Sequence, residues 1–104
     1  MRDTDWSQIA ALYDQLVRLD SSPIVALNRA IAVGELDGPE VALAVVDDLG
    51  DSLAGYHAYH ATRADLLRRL GRSQESRAAY DKAIELAGNT AETAYLTRRR
   101  DHLA

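Results

Sequence analysis

The sequence contains no cysteine and no phenylalanine, one lysine, one methionine and only two prolines. Without cysteine there can be no disulfide, no thiolate metal site and no thiol nucleophile. No apolar run approaches the roughly 18 residues that a membrane helix requires, and the opening MRDTDW is charged where a signal peptide would be apolar. The expected setting is therefore cytoplasmic, with no membrane partner. The glycines stand singly, so no Gly-rich loop can cradle a phosphate. No serine sits on an elbow in triad order with histidine and aspartate, and no pair of carboxylates brackets a pocket-forming loop. Short loops also leave little from which to build a catalytic site. The expectation is no enzyme, no cofactor and no metal.

What is present is a helix-former's inventory. Eighteen alanines and fourteen leucines dominate the 104 residues, and eleven of the twelve basic residues are arginine. The length fits a single small domain that buries roughly 60–65% of its unfolded surface. Net charge is −4, divided unevenly: residues 1–52 carry three Arg against ten acids, and residues 53–104 carry nine basic residues against six acids. An acidic half followed by a basic half argues against direct nucleic-acid binding.

Caps, apolar stripes and breakers predict six helices and no strands. Thr4 caps a first helix with Trp6, Ile9, Tyr13 and Leu16 on one stripe and Ala10 and Val17 beside it. Leu19 to Pro23 stops it; Ser22 caps the second helix, Pro23 takes its first position, and the helix runs to about Leu36. Its face is Ile24, Leu27, Ala30, Ile31 and Ala32. Asp37-Gly38-Pro39 turns into a third helix over about 39–49, with Val41, Ala42, Val45, Val46 and Leu49 inward. After Gly50, Asp51 or Ser52 caps a fourth helix over about 53–70, which buries Tyr56, Tyr59, Ala64, Leu67 and Leu70. Gly71 ends it in the left-handed conformation. Ser73 opens a fifth helix with Ser76, Ala79, Tyr80, Ala83, Ile84 and Ala87 on its buried face, and Gly88 closes it. Asn89 and Glu92 form a capping box for a sixth helix over about 90–103, with Ala91, Ala94, Tyr95 and Leu103 as apolar contacts. Helices joined by such short loops pack antiparallel to their neighbours.

The segments Pro23 to Gly38 and Tyr56 to Gly71 lie 33 residues apart, a helix-pair repeat period. Residues 57–88 resemble a tetratricopeptide repeat: Ala64 and Leu67 take the small and large positions of its first helix, Gly71 the turn, Ser76 the small position of its second helix, and Tyr80 the aromatic. Ala83-Ile84-Glu85-Leu86 follow. Arg63 stands where that repeat usually has leucine, and Gly88 where proline usually closes it. Residues 23–50 match more loosely through Ala30, Val33, Ala42 and Val46. The implied fold is all-α, a right-handed stack of helical hairpins, in which Trp6 to Leu19 is the second helix of a further pair.

A closer resemblance covers nearly the whole chain. Thr4-Asp5-Trp6, IAALYD from Ile9 to Asp14, NRAIAV from Asn28 to Val33, GYHAYHATRADLLRRLGR from Gly55 to Arg72, and AETAYL from Ala91 to Leu96 carry it. They resemble the C-terminal tetratricopeptide-like extension of one subgroup of bacterial extracytoplasmic-function sigma factors. The resemblance implies an interaction and regulatory module acting in transcription initiation, partnered by the sigma domains of its own chain or by RNA polymerase. It also implies a C-terminal fragment, since the promoter-binding sigma domains are absent from these residues.

Several residues stand out. His57 and His60, three apart on one helix, can be read as packing and hydrogen-bonding groups. With Asp65 they also form the kernel of an alternative reading, a small metal-binding or enzymatic domain. Asn28 and Arg29 lie mid-helix, where asparagine needs a partner for its amide. Arg63, on the apolar stripe, should pair with an acid or snorkel. Arg98-Arg99-Arg100 is read first as a solvated face and second as a patch for phosphate or an acidic partner. If the first helix of each pair lines a groove, Ala58, Ala61, Asp65, Arg68 and Arg69 face it on one side and Ile24, Leu27, Ile31 and Glu35 on the other. The expected partner-binding residues are Asn28, Arg29, Asp65, Arg68 and Arg69, suited to a segment with an acidic tail. The first helix should keep an uncovered apolar side that a second copy can cover. A purely structural, oligomerising repeat domain is the remaining alternative.

Overall fold

The computed structural model describes residues 5–19 and 22–103. Among them 83% are helical and no strand occurs. The expected all-α class is thus observed, with seven helices where six were predicted: α1 (Trp6–Leu19), α2 (Pro23–Asp37), α3 (Pro39–Asp47), α4 (Gly50–Leu53), α5 (His57–Arg69), α6 (Ser73–Leu86) and α7 (Thr90–Asp101). None is long and apolar enough to cross a membrane. The chain divides into two compact units, Met1–Ser52 and Leu53–Ala104.

In the first unit α2 packs against both α1 and α3. Thr4, the cap expected for α1, lies outside the described residues. Asp5 performs that role: its carboxylate accepts from the Gln8 amide at 3.1 Å. Ser22 caps α2 as predicted, its hydroxyl accepting from the Ile24 amide at 3.3 Å with Pro23 at the first position. Gly38, at φ +97°, ends α2 and leads into Pro39 at the head of α3. The buried residues of α2 and α3 are Leu27, Ala30, Ala32, Val33, Gly34, Ala42, Leu43 and Val46. Ile24, Ile31 and Val41 are instead exposed, and in α1 Leu12, Leu16 and Leu19 face solvent.

The second unit packs α6 against α5 and α7. The extra helix, α4, forms over Gly50–Leu53, where a break and a cap were predicted, and the predicted fourth helix starts only at His57. α4 ends at Leu53, Tyr56 is extended, and its amide donates back to Leu53 at 3.0 Å. The His60 Nε2–H then secures the break by donating to the Ala54 carbonyl at 2.7 Å. Gly71, at φ +76°, closes α5 in a double hydrogen-bonded cap. The Arg72 amide reaches the Leu67 carbonyl and the Gly71 amide reaches Arg68, both at 3.0 Å.

α5 and α6 meet through small residues. Ala64 and Ser76 are both fully buried, and the Ser76 hydroxyl donates to the Ala64 carbonyl at 2.7 Å. That carbonyl is already part of the α5 ladder, so the bond locks the two helices at close approach without leaving a buried hydroxyl unsatisfied. Leu53, Tyr59, Leu66, Leu67, Ala79, Tyr80 and Ala83 are buried with them. In α7 the buried residue is Leu96, whereas the expected contacts Ala91, Ala94 and Tyr95 are exposed. Helix α7 has only this one anchor, so its orientation depends on polar contacts.

Candidate functional site

Those contacts begin at the N-terminus of α7. The Asn89 side chain accepts from the Glu92 amide at 2.8 Å, half of the predicted capping box. Glu92 does not complete the box. Its carboxylate accepts instead from the His57 Nε2–H at 2.7 Å, tying the start of α7 to the start of α5. His57 and His60 therefore have separate partners, and Asp65 has a third set. Among the described residues no group of three His, Asp or Glu side chains is placed to hold a metal.

Asp65 is where the two helices meet again. Its Oδ1 accepts from Arg68 at 2.7 Å and from Arg99 at 3.0 Å, and its Oδ2 pairs with Arg69 at 3.0 Å. Two of these arginines follow Asp65 at i+3 and i+4 on α5, where side chains share a face. The third comes from the last turn of α7, where cations also complement the helix dipole. Burial alone would push the Asp65 carboxyl up. The Arg68 hydrogen bond and the charges of Arg69, Arg68 and Arg99 outweigh it and hold the group below its ordinary value. Arg68 is shifted up, chiefly by its bond to Asp65. Arg99 is shifted up, with the Tyr80 side chain as the largest cause. The buried aromatic of α6 thus sits beneath the same cluster.

Beside this staple lies an open cleft of about 420 Å³, lined by Arg68, Tyr95, Arg98, Arg99 and His102. The Arg99 guanidinium stands over the Tyr95 ring, 5.9 Å from its centroid. His102 donates its Nδ1–H to the Arg98 carbonyl at 2.6 Å, which fixes the imidazole at the cleft's end. Arg100 points away from the cleft, to Asp81 at 2.8 Å and to Asp101.

The predicted partner-binding residues thus divide. Asp65, Arg68 and Arg69 are brought together. Asn28 and Arg29 lie on α2 in the first unit, half-buried, with Arg29 paired to Asp14. Leu27, expected to face a groove, is core. Arg63 is half-buried and its charge adds to that of Arg72 in lowering Glu75, consistent with an arginine that pairs from the apolar stripe.

No family model matches the sequence, and no solved structure matches it. It is 54% identical over 101 residues to Uncharacterized protein R00370 of Rhizobium meliloti (strain 1021), a match that takes in 97% of this chain. The chain spans about a quarter of that relative's length.

Proposed function

We propose that this chain is a non-enzymatic protein-interaction module, the tetratricopeptide-like C-terminal part of an extracytoplasmic-function sigma factor that works in the cytoplasm. It modulates transcription initiation by contacting the sigma domains of its own polypeptide or RNA polymerase. The observation that carries the reading is the α5–Gly71–α6 hairpin. Ala64 and Leu67 on one helix pack with Ser76 and Tyr80 on the other, around a glycine turn, with small and large residues where a tetratricopeptide hairpin has them. The sequence resemblance from Gly55 to Arg72 supports the sigma-factor context, and a relative about four times as long is consistent with a module of a larger protein.

Self-association through α1 belongs to the same proposal. Leu12, Leu16 and Leu19 fall at i, i+4 and i+7 and are all exposed. Light scattering should show a dimer at millimolar chain, and a monomer throughout the concentration range removes this element. The sigma-factor reading is tested by the coding sequence upstream of Thr4 in the parent gene. Two promoter-binding sigma domains are expected there, and an unrelated upstream domain overturns the reading.

A further inference from the structure

We propose that the cleft formed by Arg68, Tyr95, Arg98, Arg99 and His102 binds an acidic segment of a partner protein, with at least two carboxylates beside an aromatic or apolar side chain. The inference deepens the interaction-module reading and rests on it for the partner being a protein.

Three arginines, Arg68, Arg98 and Arg99, line the cleft, and the carboxylate of Asp65 pairs with two of them, Arg68 and Arg99, which leaves the cleft with a positive excess. The Arg98 guanidinium has no acidic partner among the described residues. Arg68 and Arg99 are held by Asp65 through one terminal nitrogen each, and an arginine fork has further N–H groups to offer. The site already binds one carboxylate at 2.7–3.0 Å through guanidiniums from two helices, so its geometry suits that chemistry.

Tyr95 gives the cleft an aromatic wall. Tyr95 is 51% exposed and begins a stripe, Tyr95, Arg98 and Arg99 on α7 and His102 at its C-cap, spaced i, i+3, i+4 and i+7. A ring with a guanidinium stacked over it offers an apolar face next to fixed cations, and aromatic and arginine side chains are the usual anchors of protein interfaces.

Shape decides between ligand classes. Arg68 and Arg99 are 39% and 38% exposed, so a small anion here would stay open to water, whereas small-molecule sites commonly bury 70–90% of their ligand. An extended segment lying along the α7 stripe can cover the open side itself.

The test uses the 104-residue chain and a fluorescein-labelled hexapeptide of Asp and Glu around one Trp, read by fluorescence polarisation. Binding should saturate and weaken several-fold when salt is raised from about 50 to about 300 mM. Arg98→Glu should weaken it at least about tenfold and Tyr95→Ala about threefold or more, since neither side chain is buried and both variants should keep wild-type helicity. A Lys/Trp peptide of the same length should not bind. Unchanged binding by both variants overturns the proposal, as does equal competition by a triphosphate or by oligo(dT). If the peptide does not bind while deletion of the segment still abolishes promoter-directed transcription, this inference falls and the module reading stands.

Discussion

Replacing Asp65 by Asn removes one charge and almost no volume, and its cost can be worked from the contacts it breaks. The carboxylate meets Arg68 and Arg99 through Oδ1 and Arg69 through Oδ2, at 2.7–3.0 Å, and is 27% exposed. An asparagine keeps one accepting oxygen, but its NH₂ group points a donor at a donor. Partly exposed pairs are worth about 0.2–1 kcal/mol each. Three of them, together with the repulsion among guanidiniums left without their counter-ion, put the loss at about 1–2 kcal/mol. Urea unfolding followed by circular dichroism at 222 nm measures it at neutral pH. The folded state holds the Asp65 carboxyl below its unfolded value, so its contribution is present above about pH 4 and is lost as pH falls further, through the folded value. Asp65→Asn should therefore flatten the acid side of the stability profile as well as lower the plateau. A variant within about 0.3 kcal/mol of wild type at pH 7, with the same acid slope, would refute the staple.

Gly71→Ala should destabilise by about 1 kcal/mol because φ is +76° there, although a Cβ would meet nothing within 4 Å. Gly88→Ala, equally open and without a positive φ, should be neutral or slightly stabilising, and equal losses at both glycines would contradict the capping argument. Ser76→Ala removes the buried bond to the Ala64 carbonyl and should cost about 1 kcal/mol, whereas Ser76→Leu should cost more by forcing α5 and α6 apart; thermal melts rank the pair. Asn89→Ala should cost about 1 kcal/mol through loss of the α7 cap, visible as faster amide exchange at Glu92.

The fold class and most helix ends were legible because they rest on local chemistry. Ser22 with Pro23, Gly38 with Pro39, Gly71 and Asn89 each dictate a start or a stop within a few residues. The α4–α5 break was not, since residues 53–70 read as one helix until His60 is seen holding the Ala54 carbonyl. Core membership was read well in α6, where Ser76, Ala79, Tyr80 and Ala83 are all buried. It failed in α7, where Leu96 is the buried residue and the expected contacts Ala91, Ala94 and Tyr95 are exposed. Asp65, Arg68 and Arg69 were visible as a cluster from their i+3 and i+4 spacing. Arg99 joins them only because α7 crosses near α5, which no local pattern specifies. The stripe of Tyr95, Arg98, Arg99 and His102 was available at helical spacing. The run Arg98-Arg99-Arg100 obscured it, because its third member turns away to Asp81.

The most direct test of the proposed function is promoter-directed run-off transcription by RNA polymerase with the full-length protein that carries these residues, comparing the intact protein with one lacking the 104 residues and one carrying Arg98→Glu. An interaction module predicts near-complete loss of transcript on deletion and a several-fold loss from the charge reversal at unchanged folding. Full transcript from the protein lacking the segment would contradict it.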